Sequence, residues 1–503
     1  MAQKKHETFA FGSVLEALTK GLYPDKRHVL REFVQNAFDA LRDLRVSDKT
    51  SLLRPIVITI DRPSITIYDE GIGMDEEQMG QYRYLGYSEK LAQTHVGFRG
   101  IGKYSGTAIA KRIIVSSTTK GSKTKCQVTI DAEAMFEHLR NERNPDLNQV
   151  LEQHTHIETG KVEKEESHFT FVELRGILPD SEDLFDDDLL IKYLSETVPV
   201  PFDAASPFTA EIRRKLHANV PDFFESLLTV QDRKVFRRFP ANIRPPEFIP
   251  VYETEDHDSP LIAYCWYCQH KDKGQIPDRD LRGLFYRVKN FAVGDQTTTR
   301  RDFWQTMAHQ AFYFFGDVHL CNPNIVPTSD RTDLEDNKTR GEMRKRCKVI
   351  SQRLNRQAQT EAGERKFQDS LQSTIELVRS VRQDKESGSL SIAEKPTVEF
   401  QVTQSINEVQ RRIGRVSRKA AGAELQLVKR GEKVVRQAQE LLAELQDNGG
   451  KLFDVTKATS MGEDGKKVFS IVTEILQDEF GHDFDLYQKL IRKITARLKE
   501  AFS

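Results

Sequence analysis

The sequence feature that most limits the fold is an amphipathic helix predicted at residues 30–41. Leucine, phenylalanine, valine and alanine recur there at three- and four-residue spacing, which indicates one buried face. Glu32, Asn36 and Asp39 follow at i, i+4 and i+7, so they lie along one line of that helix. Two carboxylates and a carboxamide pack poorly, but they suit a hydrated metal ion and a water molecule. Taken alone, such a line is more often a solvated helix face.

Composition limits the class of protein. The chain has 503 residues, more than one core normally covers, so three or more structural units are expected. Its 75 basic and 76 acidic side chains nearly cancel, so a nucleic-acid surface would have to be a local patch. No run of about twenty apolar residues occurs, and the N-terminal residues lack the apolar core of a signal peptide. Five scattered cysteines fit a reducing compartment. We therefore expect a cytoplasmic protein without a membrane partner.

Two glycine-dotted segments follow the helix. Residues 55–69 alternate like the two strands of a hairpin, which ends in Asp69 with Gly71 and Gly73 directly after it. Asp69 can accept a hydrogen bond from an amino group such as that of adenine, and the glycines let backbone approach the ring. Further on, the spacing GxxGxG over residues 97–102 offers backbone N–H groups to phosphates. Each of these signals is weak in isolation, because such segments are usually ordinary turns or loops.

The order of the three clusters resembles the GHKL ATPases, a group with gyrase, heat-shock-90 chaperones, sensor histidine kinases and MutL. Residues 30–41 resemble the N box of that family, residues 69–74 its DxGxGM box, and residues 97–102 its glycine-rich lid box. The resemblance implies ATP and Mg²⁺ as cofactors and ATP hydrolysis as the activity.

The resemblance also implies roles for single residues. Glu32 corresponds to the general base, Asn36 to the magnesium ligand, and Asp69 to the reader of adenine. Asp39 has only an unspecific supporting role in the nucleotide site. The remaining residues that the family motifs place around the nucleotide are Gly71, Gly73 and Met74 beside the adenine, and Gly97, Gly100 and Gly102 at the phosphates.

Three further residues resemble family positions, and Thr170 does so less closely than Ser88 and Lys90. Ser88 and Lys90 match the lid segment of MutL- and MORC-type members, within a lid expected over residues 75–94. Thr170 resembles the threonine on a late strand beside the adenine-reading aspartate, although Phe169 stands where the family usually has glycine.

Residues 322–331 resemble the catalytic loop of the heat-shock-90 middle domain, in which an arginine reaches the γ-phosphate. The resemblance implies that Arg331 is a catalytic, phosphate-sensing arginine. The alternative is an ordinary loop arginine beside Asp330 and Asp333.

The predicted fold class is α+β with a helical C-terminal part. We expect a Bergerat-type α/β sandwich ATPase domain at 1–190 and an S5-like α/β transducer at 191–337. A helical or coiled-coil region at 338–447 and a small helical domain at 448–503 follow. Two local expectations are an exposed insertion between Arg140 and Glu166 and a helix from Phe303 to Phe314. A seven-residue repeat indicates a coiled-coil or helical-hairpin seam over Ile406, Ile413, Ala420, Leu427, Val434 and Leu441.

Two other patterns leave alternatives open. Cys265 and Cys268 with His270 suggest zinc, but no second pair lies nearby, so two ordinary strand thiols are the preferred interpretation. Basic residues cluster over 411–436 and would suit nucleic-acid phosphates, whereas a solvated helix face is the more ordinary interpretation.

The functional hypothesis is an ATP-driven clamp that hydrolyses ATP slowly and closes as a homodimer on a protein client or partner. A MORC- or MutL-like clamp around nucleic acid, touching it through residues 411–436, is the first alternative. A scaffold that binds ATP without hydrolysing it is the second, because this superfamily serves many tasks.

Overall fold

The computed structural model describes residues 21–446, apart from 92–94, 98, 143–144, 255–257, 273, 305–306, 388, 391–393 and 417–422. Outside that span it describes only residues 15, 17, 471–472, 475–476, 490 and 493–494. The small domain predicted at 448–503 therefore lies almost wholly outside the described residues. The chain divides into two units, residues 1–358 and 359–503.

The first unit contains two β-sheets with helices packed on them, and the C-terminal part is helical, which confirms the predicted α+β class. The helices are α1 (Arg27–Ser47), α2 (Glu76–Gly80), α3 (Ala132–Asn141), α4 (Leu147–His154), α5 (Asp187–Thr197), α6 (Thr209–Asn219), α7 (Gln296–Phe303), α8 (Lys338–Glu386), α9 (Lys395–Val416) and α10 (Ala423–Gln446). The strands are β1 (Ile56–Asp61), β2 (Ser64–Asp69), β3 (Ala110–Thr118), β4 (Thr124–Asp131), β5 (Thr155–Lys161), β6 (Phe169–Ile177), β7 (Leu228–Val230), β8 (Arg233–Lys234), β9 (Glu247–Tyr252), β10 (Leu261–Gln269), β11 (Gly283–Val288), β12 (Phe291–Val293) and β13 (Phe314–Leu320).

The larger sheet has eight strands in the order β5-β4-β3-β6-β2-β1-β7-β8. Its pairs are antiparallel except for β1 and β7, which run parallel with Ile56 opposite Leu228. β2 alternates between half-buried and buried positions, as a strand with one covered face does. Helix α1 covers that face with the predicted apolar stripe, which includes the buried Val34, Phe38 and Leu41. β7 and β8 belong to this sheet although they lie beyond residue 190, the predicted end of the ATPase domain. The predicted domain boundaries stay predictions.

The smaller sheet has five strands in the order β12-β11-β13-β10-β9. β11 and β13 run parallel, and the other pairs are antiparallel. Every residue of β13 is buried, because both faces of this central strand are covered. The residues directly before it, Ala308–Tyr313, form a 3-10 helix.

The hairpin of residues 288–293 joins the smaller sheet to the core of the larger one. Its two turn residues, Lys289 and Asn290, have positive φ angles of 48° and 65°, as a type I′ turn requires. Phe291 follows the turn and is fully buried in the larger sheet's core. Its ring meets Phe38 of α1 edge-on, with 5.0 Å between the ring centroids. A residue of the smaller sheet is therefore part of the packing of α1.

Two local predictions are wrong. Residues 140–166 are not a plain insertion: they contain α4 and the edge strand β5, which pairs with β4. β5 exposes most of its side chains and is held by backbone hydrogen bonds, so it needs little apolar sequence. Residues 303–314 are not one helix, because α7 ends at Phe303 and a 3-10 helix follows at Ala308–Tyr313. Buried aromatic side chains at this spacing fit a helix or a strand equally well.

The C-terminal helices share a separate hydrophobic core within residues 359–446. Ile406 of α9 and Val434 and Leu441 of α10 are buried in that core, so the predicted seam packs within its own chain. Ala420 lies outside the described residues, and a coiled coil between two chains stays a prediction. None of the described helices is long and apolar enough to cross a membrane.

The zinc alternative at Cys265 and Cys268 finds no support. The two residues are three positions apart on β10, so their side chains leave opposite faces of the strand. Cys265 lies in the core with Val251, and Cys268 lies in a different core with Trp266. Among the described residues, no group of three His, Cys, Asp or Glu side chains could hold a metal ion.

Candidate functional site

A cavity of about 370 Å³ opens between α1, the end of β2 and the glycine-rich loop of residues 97–102. Glu32 and Asn36 face it from adjacent turns of α1, as their spacing on the helix predicts. All the predicted site residues line this cavity except Asp39 and Gly71; the lining set includes Asp69, Gly73, Met74, Ser88, Lys90, Gly97, Gly100, Gly102, Thr170 and Arg331. The roles assigned to them stay predictions.

Asp69 ends β2 at the floor of the cavity. Its carboxyl is buried at 4% exposure, and Oδ1 accepts the Gly71 N–H at 2.9 Å. Burial raises the pKa of Asp69 to about 7, since few partners replace the water lost. Position 71 has no room for a side chain, because a Cβ there would come within 2.5 Å of the Ala40 Cβ. Asp69 thus offers one buried hydrogen-bonding group to a ligand.

Thr170 is placed beside Asp69 by sheet register, since the two residues are partners across β2 and β6. The Thr170 hydroxyl lies 3.2 Å from the Ser117 Oγ. That oxygen also accepts the Met74 N–H at 2.8 Å and donates to the Phe169 carbonyl at 2.7 Å. These bonds fix the backbone after the DxGxG turn. Ser117 was not predicted from the sequence, because only the strand register brings it here.

The glycine-rich loop comes very close to α1. A Cβ on Gly97 would lie 2.9 Å from the Asn36 Oδ1, and a Cβ on Gly102 would lie 2.8 Å from the Glu32 Oε2. Gly100 has a φ of +68°, and a Cβ there would meet the Tyr87 carbonyl at 2.4 Å. Glycine at these positions therefore keeps side chains of the loop away from the two α1 oxygens beside the cavity.

Asp39 holds the start of this loop instead of facing the cavity. Its carboxylate accepts the Val96 N–H at 3.1 Å and the Gly97 N–H at 3.0 Å, and the Lys90 Nζ lies 3.3 Å from Oδ2. Burial opposes ionisation of Asp39, but the Lys90 ammonium and the two N–H donors outweigh it and lower the pKa. Asp39 is therefore positioned to orient the loop, and this gives its supporting role a physical form.

The predicted lid segment is tied to the site by two lysines. Lys90 Nζ also lies 3.4 Å from the Asn36 Oδ1, and Ser88 accepts the Lys90 N–H at 3.2 Å. Lys103 donates to the Gln81 carbonyl at 2.6 Å and to the Tyr87 carbonyl at 3.2 Å. Burial lowers the pKa of Lys103 to about 8. Sequence reasoning missed Lys103, although it directly follows the GxxGxG glycines.

Arg331 reaches the cavity from the loop after β13. Its Nε lies 3.5 Å from the Glu32 Oε1, and its Nη2 donates to the Val96 carbonyl at 2.5 Å. The side chain is buried, and the backbone φ is 57°, a conformation that residues other than glycine rarely adopt. Its carbonyl accepts the Gly294 N–H at 2.8 Å, directly after the 288–293 hairpin. Strain at a residue facing a cavity is typical of functional sites.

The donor set fits a magnesium ion bound together with phosphates. Magnesium keeps several waters and needs few protein oxygens, so the Asn36 amide oxygen is enough beside a nucleotide. Gly97 supports this fit, because any larger side chain would crowd that oxygen.

Comparisons with known proteins agree with this geometry. Residues 25–167 match the family described as histidine kinase-, DNA gyrase B- and HSP90-like ATPase. The chain is 30% identical over 134 residues to chaperone protein HtpG of Borreliella burgdorferi, which covers 23% of this chain and 22% of that protein. For HtpG of Helicobacter hepaticus the values are 31% over 143 residues, with 24% and 23% covered.

A plant relative gives the same result. Heat shock protein 90-5, chloroplastic, of Arabidopsis thaliana is 33% identical over 159 residues, or 26% of this chain and 20% of that protein. The chain thus matches less than a quarter of the length of each of these relatives. The segment that matches the family, residues 25–167, contains α1, Asp69 and the glycine-rich loop, so the resemblance found in the motifs is confirmed.

Proposed function

We propose that the whole chain is an ATP-driven conformational clamp, built around the GHKL-type ATPase family match at residues 25–167. In this proposal the chain binds and slowly hydrolyses ATP and closes as a dimer on a protein client or partner. The observation that carries the proposal is Arg331, which comes from outside the matched domain and lies 3.5 Å from Glu32 inside its cavity. Such an arrangement lets the nucleotide control a second part of the chain.

The proposed chemistry divides among few residues. Glu32 takes a proton from the attacking water, and the N–H groups of the loop at residues 97–102 hold the phosphates. Asp69 accepts a hydrogen bond from the adenine amino group. Asn36 would hold the magnesium ion, which when bound would neutralise charge on the phosphate oxygens.

Coupling in this proposal starts from the ion pair between Arg331 and Glu32. A γ-phosphate carries more negative charge than Glu32 and accepts a bidentate guanidinium, so it competes for Arg331. The arginine would then leave Glu32 free to act as a base. Since the Arg331 carbonyl is bound by the Gly294 N–H, movement of this loop would pull on the 288–293 hairpin and through Phe291 on α1.

Arg331→Ala is expected to lower kcat by about 10- to 100-fold, because one charge-assisted contact to the reacting phosphate is lost. The Kd for ATP should change by less than about threefold, since the adenine and loop contacts remain. Steady-state phosphate release and calorimetric nucleotide binding measure the two quantities. Arg214→Ala, at an exposed position on α6, is the matched control and should behave as wild type. An unchanged kcat in Arg331→Ala would refute the role of this arginine.

Nucleotide affinity is expected to depend on the ionisation of Asp69. Its pKa of about 7 means that the ionised carboxylate, the stronger hydrogen-bond acceptor, grows from a minor to a major fraction between pH 6 and pH 8. Affinity for adenosine, which has no titrating phosphate, should therefore rise about tenfold over this range. Asp69→Asn is expected to bind adenosine more weakly and without this pH dependence. A flat wild-type profile would contradict the assignment of Asp69.

The alternatives make different predictions. Lys429, Arg430, Lys433 and Arg436 are exposed on α10, as a nucleic-acid clamp would require. Salt-dependent stimulation of the ATPase by duplex DNA would favour that clamp, whereas we expect no stimulation. A wild-type chain that binds ATP but releases no phosphate would favour the scaffold.

A further inference from the structure

A second cavity, of about 80 Å³, lies on the other side of Arg331. His95, Val96 and Arg331 line both cavities, so the arginine and the loop backbone separate them. At about 10–15 Å³ for each water, the second cavity has room for several waters or an ion of five heavy atoms. Nothing in the proposed ATPase chemistry uses this space.

Three basic side chains line the wall of the second cavity. Arg287, Lys289 and Arg331 line it, and the one carboxylate in the lining belongs to the exposed Asp222. Arg287 shares the buried Asp317 with Arg237, so two guanidinium groups face one carboxylate there. Burial and the neighbouring Arg237 lower the pKa of Arg287 to about 10, although the Asp317 carboxylate acts in the opposite direction.

Two side chains point to an oxyanion as the ligand. His319 lines the cavity at 1% exposure, and among the described residues neither ring nitrogen has a hydrogen-bond partner. Its Nε2 lies 3.7 Å from Asp317, which is too far for a hydrogen bond. Lys289 is aimed here by the type I′ turn, and its Nζ donates to the His95 carbonyl at 2.7 Å. A buried imidazole whose nitrogens lack hydrogen-bond partners, beside a half-buried lysine, is a costly arrangement unless something binds there.

We propose that this second cavity binds the inorganic phosphate released by ATP hydrolysis and forms its exit route past Arg331. The inference rests on the proposed ATPase function, because that reaction supplies the phosphate. Arg331 would hold the departing phosphate where the two cavities meet, and Lys289 and His319 would receive it in the second cavity. The dianion would be surrounded by the hydrogen-bond donors of Arg331, Lys289 and His319.

The test uses the full chain saturated with the β,γ-imido analogue of ATP, so that the nucleotide cavity is filled. Inorganic phosphate is then titrated calorimetrically at an ionic strength held constant with KCl. Wild type is expected to bind phosphate under these conditions. Lys289→Met should weaken that binding at least about tenfold, and His319→Gln several-fold. Lys234→Met, at an exposed position on β8, should bind as wild type.

Absence of phosphate binding to the analogue-loaded wild type would overturn the proposal, as would wild-type binding in both Lys289→Met and His319→Gln. Because His319→Gln replaces one polar side chain by another, it keeps the test available if Lys289→Met does not fold. No turnover is needed. A chain that binds phosphate in this way but never hydrolyses ATP would therefore refute the proposed function separately.

Discussion

Replacing Glu32 with alanine is expected to lower kcat for ATP hydrolysis by about 100- to 10,000-fold, the contribution typical of a general base. The carboxylate lines the nucleotide cavity, and Gly102 leaves its Oε2 uncovered. ATP binding should weaken by less than about threefold, because Asn36, Asp69 and the loop amides are unchanged. Phosphate release at saturating ATP and calorimetric binding of ATP measure the two effects.

Two variants separate charge from structure in this experiment. Glu32→Gln keeps the shape of the side chain but cannot take a proton, so it should lose activity as Glu32→Ala does. Glu77→Ala removes an exposed carboxylate from α2 and should retain wild-type activity. Wild-type phosphate release by Glu32→Ala would remove hydrolysis at this site from the proposal.

Replacing Phe291 with alanine is expected to destabilise the first unit by about 3–5 kcal/mol, the usual cost of a phenylalanine removed from a core. The ring is fully buried and touches Phe38, on the helix that carries Glu32 and Asn36. We expect kcat to fall as well, since Phe38 on α1 loses one of its two aromatic partners. Both tryptophans, Trp266 and Trp304, are buried in cores of the smaller sheet, so tryptophan fluorescence in urea reports the transition.

Phe291→Leu keeps most of the buried volume and should cost less than half as much as the alanine variant. Leu52→Ala removes a leucine that is 77% exposed and should shift the urea midpoint little. A Phe291→Ala chain with the urea midpoint and kcat of wild type would show that the hairpin contact is dispensable.

Local sequence patterns predicted the elements whose signal is local. The amphipathic helix α1 and the strands around residues 56–60 and 64–69 are confirmed, because each buries one face at its own period. The edge strand β5 escaped prediction because backbone pairing with β4 orders it and its side chains are mostly exposed. The turns at residues 308–313 escaped because tertiary burial, not periodicity, decides their conformation.

The candidate site likewise contains residues that sequence motifs predict and residues that they do not. The family motifs predicted residues that the structure brings around one cavity, including Arg331 from almost three hundred residues away. Asp39 was assigned only a vague role, since its contacts to Val96 and Gly97 depend on how the loop folds back. Lys289, Phe291 and His319 had no local signature at all. Their importance arises only where the two sheets meet.

The burial of Phe291 against Phe38 affects how much of the chain is needed for the nucleotide-site domain to fold. The family match ends at residue 167, yet β1 pairs along its edge with β7, and α1 is covered by a residue near position 290. A gene fragment that carried only the matched segment would expose a phenylalanine face and an open strand edge, both of which promote aggregation. The cavity lining, the 288–293 hairpin and Arg331 therefore depend for their packing on one stretch of chain that runs from residue 25 to residue 331.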